Sequence, residues 1–126
     1  AALIVKGDFT QKRGFEGAMR LLALADPPTA IFAANDLSAF GAIAAVREAG
    51  LRVPDDISVI GFDDIPTASQ FYPPLTTVRQ PIHQIGRAAV NTLLARIAGI
   101  EPASPQVILP TELILRASTA ACRSRA

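Results

Sequence analysis

Cysteine is nearly absent from this sequence: Cys122 is the only one in 126 residues. That excludes an internal disulfide and any metal site built from several cysteines. It lies near the end, where chains are often loose, and reads as an unpaired thiol in a reduced compartment rather than as a nucleophile. Long apolar runs are also missing. None approaches the ~20 residues that span a bilayer. The opening residues, Ala1 to Asp8, lack the charged head and long apolar middle of a signal peptide. They read instead as the middle of a strand, and so as a chain cut from something longer. Charge is sparse, at 18% of residues with a net charge of +1, against ~25% in soluble domains. A nucleic-acid binder clusters Lys and Arg. Here they are scattered, which argues against DNA contact by this segment alone. Half of the residues are hydrophobic, so either the core is unusually full or some apolar surface meets a partner. The length fits one domain or a large part of one.

Apolar runs bounded by turn residues alternate with helical periodicity. Leu3-Ile4-Val5 predicts a buried strand ended by Gly7-Asp8. Thr10 is placed to cap a helix whose face is Phe15, Ala18, Met19 and Leu22. Ala30 to Ala34 predicts a second strand. Asn35 or Asp36 caps a second helix over 37–49, closed by Gly50. Ile57 to Phe62 is a third strand, and this order implies parallel strands joined by helical crossovers. Residues 63–74 read as a polar, Pro-rich loop, followed by an extended segment from Leu75 to Val78. Pro81 opens a third helix with the narrow stripe Ile82, Ile85, Ala89, Leu93 and Ile97, closed by Gly99. A loop from Glu101 to Pro105 leads to two short strands, Val107-Ile108-Leu109 and Leu113-Ile114-Leu115, and the tail after Arg116 reads as frayed.

In open α/β sheets, ligands sit beyond the carboxyl ends of the strands. Three such ends are visible: Asp8-Phe9, Asn35-Asp36 and Asp63-Asp64. An aromatic face, an amide and carboxylates suit a sugar-like or nucleobase-like ligand. Each also has a structural reading. Asp36 reads first as an N-cap, Asp63 and Asp64 as turn residues, and Phe9 as core. Enzymatic readings are weaker. Paired aspartates suit Mg²⁺, but a receiver domain wants a Lys after its last strand, and the only lysines are Lys6 and Lys12. The single histidine, His83, sits off the apolar stripe of its helix and reads as solvated or hinge-lining. No G-x-S-x-G elbow or P-loop occurs. The second helix is apolar on two sides. Ala39, Ile43 and Val46 face the sheet, while Leu37, Phe40 and Ala44 form another face. With Phe71-Tyr72 on the loop, this predicts a homodimer patch.

Four segments carry a resemblance. They are Pro28 to Asp36, Ala39-Phe40-Gly41-Ala42, Gly50 to Asp64 (GLRVPDDISVIGFDD), and Pro73 to Pro81 (PPLTTVRQP). In this order and spacing they resemble the effector domain of LacI/GalR-type bacterial transcription regulators, over about residues 3 to 118. The resemblance implies an α/β, periplasmic-binding-protein-like fold, a parallel-sheet sandwich of two subdomains with a small effector bound between them. Residues 1–75 and about 111–118 would be mostly the C-terminal subdomain, about 79–110 the crossover elements of the N-terminal subdomain, and 119–126 a tail. It implies ligand contacts from Asp63, Asn35, Phe9 and Gln80, and a dimer interface at Phe40 and Phe71, joined on the helical wheel and loop by Leu37 and Tyr72. No catalytic residue, metal or cofactor is expected, and a cytoplasmic location is. The partners implied are a small metabolite, a second copy, and DNA through a helix-turn-helix that this sequence lacks. Also lacking are the hinge helix, most of the N-terminal subdomain and the helix with an effector-binding arginine. The stripe on the third helix therefore loses its sheet, at ~1.5–3 kcal/mol per large side chain, and either exchanges with a neighbour or reflects truncation. The same fold serves exported sugar-binding proteins of transporters, which would carry a signal peptide upstream.

Overall fold

The computed structural model describes residues 3–101, 104 and 106–122. Helix α1 (Gln11–Leu22) leads to strand β1 (Ala30–Phe32), helix α2 (Asp36–Glu48), strand β2 (Ser58–Asp63), the short helix α3 (Pro66–Gln70), strand β3 (Thr76–Arg79), helix α4 (Ile82–Ile97) and strand β4 (Glu112–Ile114). The sheet order is β1-β2-β3-β4. β1 pairs with β2, and β2 with β3, in parallel register, as the alternation of patterns predicts. The carboxyl ends of these strands consequently lie on one edge of the sheet. The chain divides into two compact units, Ala1–Arg79 with Leu113–Ala126, and Gln80–Glu112.

In the first unit, α2 packs on β2 and against α1. The predicted inner face is buried as expected: Ala39, Ile43 and Val46 have no exposed surface. Val59 and Leu75 meet them from the sheet side of the same core. The approach of α1 to α2 depends on two glycines. A Cβ at Gly14 would collide with the Ser38 backbone, and one at Gly41 with the Gln11 carbonyl. Helix starts and stops follow the sequence closely. Thr10 Oγ1 accepts from Arg13 N at 3.2 Å. At the far end of α2, Gly50 adopts φ +73°, and its N–H and that of Leu51 close on Arg47 and Val46 carbonyls.

Several expectations need correction. Leu3-Ile4-Val5 forms no strand. Leu3 and Ile4 are largely exposed, and the segment borders an open cavity of about 320 Å³ along Ile31 and Phe32. The apolar run alone does not secure the ladder of hydrogen bonds a strand needs. The loop at 63–74 contains α3, where Pro66 supplies a first-turn residue with no N–H to lose. Met19 is on the outer side of α1, and Leu21 takes the inward place beside Phe15 and Leu22.

The tail from 117 to 122 is not frayed. Val59 N donates to the Ser118 carbonyl at 2.8 Å, and Ala117 N to Pro74 O at 3.0 Å. The fully buried Ser118 hydroxyl donates to Val59 O at 2.6 Å and accepts from Thr76 N at 2.8 Å. It thus bridges the starts of β2 and β3. Replacing Ser118 with alanine leaves a buried acceptor and a buried donor unmatched. The expected loss is about 2 kcal/mol, read as a lower midpoint in urea unfolding with an unchanged slope. Residues 123–126 of the expected tail lie outside the described residues, as do Pro102, Ala103 and Pro105 of the expected loop.

In the second unit, α4 forms as predicted and closes at Gly99, but no residue on it is buried. Ile82, Leu93 and Ile97 are more than half exposed. Ile85, Ala88 and Ala89 border an open cavity with Val107 and Leu109. The strand expected at Val107-Ile108-Leu109 is absent. Pro110 cannot donate to a ladder, and among the described residues no strand partners this segment.

Candidate functional site

The carboxyl edge of the sheet in the first unit gathers most of the predicted site residues. Among the described residues, three other than glycine have positive φ, and all lie here: Phe9 at 66°, Asp63 at 117° and Asp64 at 58°. Side chains with a Cβ avoid this region, and each such residue costs about 1–3 kcal/mol. Such outliers persist where the surroundings over-determine them, and they concentrate at ligand sites. The Phe9 ring is exposed, at 64%.

Asn35 is the N-cap of α2. Its Oδ1 accepts from Ser38 N at 2.9 Å, and its Nδ2 donates to the Phe9 carbonyl at 3.0 Å. Asn35 therefore fixes both the start of α2 and the strained residue Phe9 ahead of α1. Asp36 does not act as the cap. It is fully buried, accepting from Thr77 Oγ1 at 2.5 Å and from Ile65 N at 2.8 Å. The carboxylate thereby ties α2 to β3 and to the turn after β2. Gly61 gives it room, since a Cβ there would strike Asp36 Oδ1 and Leu75. Burial pushes the Asp36 carboxyl above its ordinary value, and the nearby charges of Asp63 and Asp64 add to the rise, against the two hydrogen bonds.

Asp63 ends β2, opposite Arg79 in register. Asp64 follows it with a nearly buried side chain, 7% exposed. Its Oδ1 accepts from Arg116 at 2.6 Å and its Oδ2 from Arg79 Nε at 2.7 Å. Arg116 also donates to the Leu75 carbonyl at 2.8 Å, and its backbone N–H to Thr76 Oγ1 at 2.9 Å. Sequence reading missed Arg116. It lies 52 residues from Asp64, and no local pattern couples the two.

Burial pushes the Asp64 carboxyl up, but the bonds and charges of Arg116 and Arg79 outweigh it and hold the group below its ordinary range. A depressed folded-state value means stability that is present above the unfolded value of ~3.9 and is lost as pH falls through the lower folded value. Asp36, with a raised value, works in the opposite sense: its contribution is present below ~3.9 and is lost as pH rises through the folded value. In urea unfolding from pH 7 to 2.5, Asp64→Asn is expected to destabilise at neutral pH and to flatten the acid limb. An acid limb as steep as in the wild type contradicts this.

Phe9, Asn35, Asp36, Asp63 and Asp64 are thus brought to one edge. Gln80 directly follows Arg79, the last residue of β3, and begins the second unit. Phe40 is 3% exposed and stacks on Phe71, with ring centroids 4.2 Å apart at 18°. Leu37 and Tyr72 are exposed, at 44% and 78%. The Arg47 guanidinium lies 5.4 Å from the Tyr72 ring centroid and donates to the Tyr72 carbonyl. Among the described residues no group of three or more His, Cys, Asp or Glu could hold a metal ion, and no helix is long and apolar enough to cross a membrane.

An open parallel sheet with polar groups at its carboxyl edge defines a ligand-binding α/β domain. The chain belongs to the periplasmic binding protein-like domain family, whose model matches residues 3–119, and its relatives are LacI-family repressors, which are not enzymes. It is 43% identical over 118 residues to the HTH-type transcriptional repressor CytR of Escherichia coli K12, covering 94% of this chain and 35% of that repressor. The chain spans about a third of the length of the curated relatives it matches. Among solved structures, it resembles the lac repressor dimer bound to operator and the anti-inducer ONPF, with TM-score 0.84 and 40% identity over 91% of this chain and 40% of that one. It also resembles a LacI family regulator from Enterococcus faecium with bound ribose, with TM-score 0.81 and 36% identity over 93% of this chain and 43% of that one.

Proposed function

We propose that this chain is the effector-binding and dimerisation region of a cytoplasmic transcription regulator. Its effector is a small polyhydroxylated metabolite, a sugar or a sugar-bearing compound, bound at the carboxyl edge of β1 and β2. The observation that carries the reading is the coincidence with that edge of the three strained residues found among those described, Phe9, Asp63 and Asp64. An exposed ring offers an apolar face to a sugar, and Asp63 offers acceptors to its hydroxyl groups. Asn35 joins them through Phe9. Gln80 enters on the family resemblance alone. The ribose in the Enterococcus faecium relative supports the choice of ligand class. An effector changes DNA binding only by favouring one arrangement of the whole regulator over another, with the DNA-reading helix-turn-helix supplied by a segment outside this sequence.

Calorimetry on the intact protein with a panel of free sugars and nucleosides tests the site. Asp63→Ala is expected to weaken the effector about thirty- to 150-fold, the scale of about 2–3 kcal/mol set by removing charged hydrogen bonds. Unchanged affinity in that variant would sink the assignment. The proposed dimer surface is centred on the exposed Leu37 and Tyr72.

A further inference from the structure

The two aspartates at the end of β2 have different environments. Asp63 closes the strand with φ 117°, and Asp64 continues it with φ 58°. Both oxygens of Asp64 are engaged by arginines, Arg116 on Oδ1 and Arg79 on Oδ2. Arg116 is itself fixed to Leu75 and Thr76 of the neighbouring segment. Arg79 stands opposite Asp63 in register. The turn is therefore held from outside, by residues on two other segments, in a conformation that aspartate does not favour by itself. Charge-assisted bonds of 2.6–2.7 Å to a nearly buried carboxylate are the strong kind, and they resist relaxation of the turn.

We propose that Asp64, clamped by Arg116 and Arg79, is a positioning residue that holds the left-handed backbone of Asp63 and so aims the Asp63 carboxylate at the effector. This rests on the reading of Asp63 as an effector contact. Asp64 itself does not touch the ligand, and its effect on binding passes through Asp63.

The test uses the intact protein with D-ribose as probe, in a double-mutant cycle of Asp63→Asn and Asp64→Asn, alongside amide hydrogen exchange. Asp64→Asn is expected to weaken ribose at least tenfold in the wild-type background and by less than twofold in the Asp63→Asn background. Exchange at residues 63–65 is expected to quicken at least tenfold, with the amides of α2 unchanged. A merely structural role predicts the same loss in both backgrounds, and that additive result, or unaltered exchange at 63–65, overturns the inference while leaving Asp63 as a contact. Failure of D-ribose and of every other sugar and nucleoside of the panel to bind the wild type, or full affinity in Asp63→Asn, overturns the site reading and the inference with it; where another member of the panel binds in place of ribose, the cycle is run with that compound. If Asp64→Asn does not fold, Arg79→Gln removes the more exposed arm of the clamp and is read in the same cycle.

Discussion

Replacing Phe40 with alanine is expected to cost about 3–5 kcal/mol of folding stability. The ring is 3% exposed and lies against Phe71, so truncation removes both the transfer free energy and an aromatic contact, and leaves a cavity between α2 and the segment after α3. A small domain has ~5–15 kcal/mol in total, and the loss consumes a large share of it. Phe40→Arg goes further by burying an unpaired charge; no cooperative unfolding transition is expected for it. The helical wheel placed Phe40 on a surface for a second copy, yet within this chain Phe71 covers it. Of the four residues expected at a partner, Leu37 and Tyr72 are exposed and Phe71 is half-buried. Light scattering on the intact protein is expected to show that Tyr72→Arg lowers the oligomeric mass at unchanged thermal midpoint, whereas Phe40→Ala lowers the midpoint itself. A Tyr72→Arg protein with wild-type mass would contradict the dimer surface.

Asp36→Ala is expected to cost about 3–4 kcal/mol, because it strips partners from the Thr77 hydroxyl and the Ile65 N–H at a buried position. Asp36→Asn separates the hydrogen bonds from the charge. Its carbonyl can accept from Ile65 while its amide donates to Thr77, whose hydroxyl rotates to suit. Because the native carboxylate is disfavoured by burial and by Asp63 and Asp64, the asparagine variant is expected within about 1 kcal/mol of wild type at pH 7. Chemical denaturation of the pair checks this. Equal, large losses in both variants would mean that the charge itself is required.

The parts of the fold that local chemistry dictates were legible in the sequence. Thr10 caps α1 because a hydroxyl before a helix meets a free N–H. Gly50 ends α2 because only glycine enters the left-handed region without cost. The strands at Ile31 and Val59 announce themselves as apolar runs. What depends on distant partners was not legible. Choosing between Asn35 and Asp36 as the cap needs Thr77, 41 residues away from Asp36. Ser118 reads as part of a loose tail until the starts of β2 and β3 are placed around it. Val107-Ile108-Leu109 has a strand's composition but no paired neighbour. At the candidate site, the residue types at the strand ends were readable, while the Asp64 to Arg116 pairing and the positive φ values belong to tertiary structure.

The effector is expected on the carboxyl edge formed by Phe9, Asn35 and Asp63. The most direct measurement is backbone amide chemical-shift mapping of the intact, isotope-labelled protein titrated with the tightest ligand from the sugar and nucleoside panel. Saturable shifts are expected in the first unit, concentrated at residues 8–10, 35–38 and 63–65, and lost in Asp63→Ala. Saturable shifts centred instead on the opposite edge, around Pro27, Pro54 and Cys122, with residues 63–65 unmoved, would contradict it.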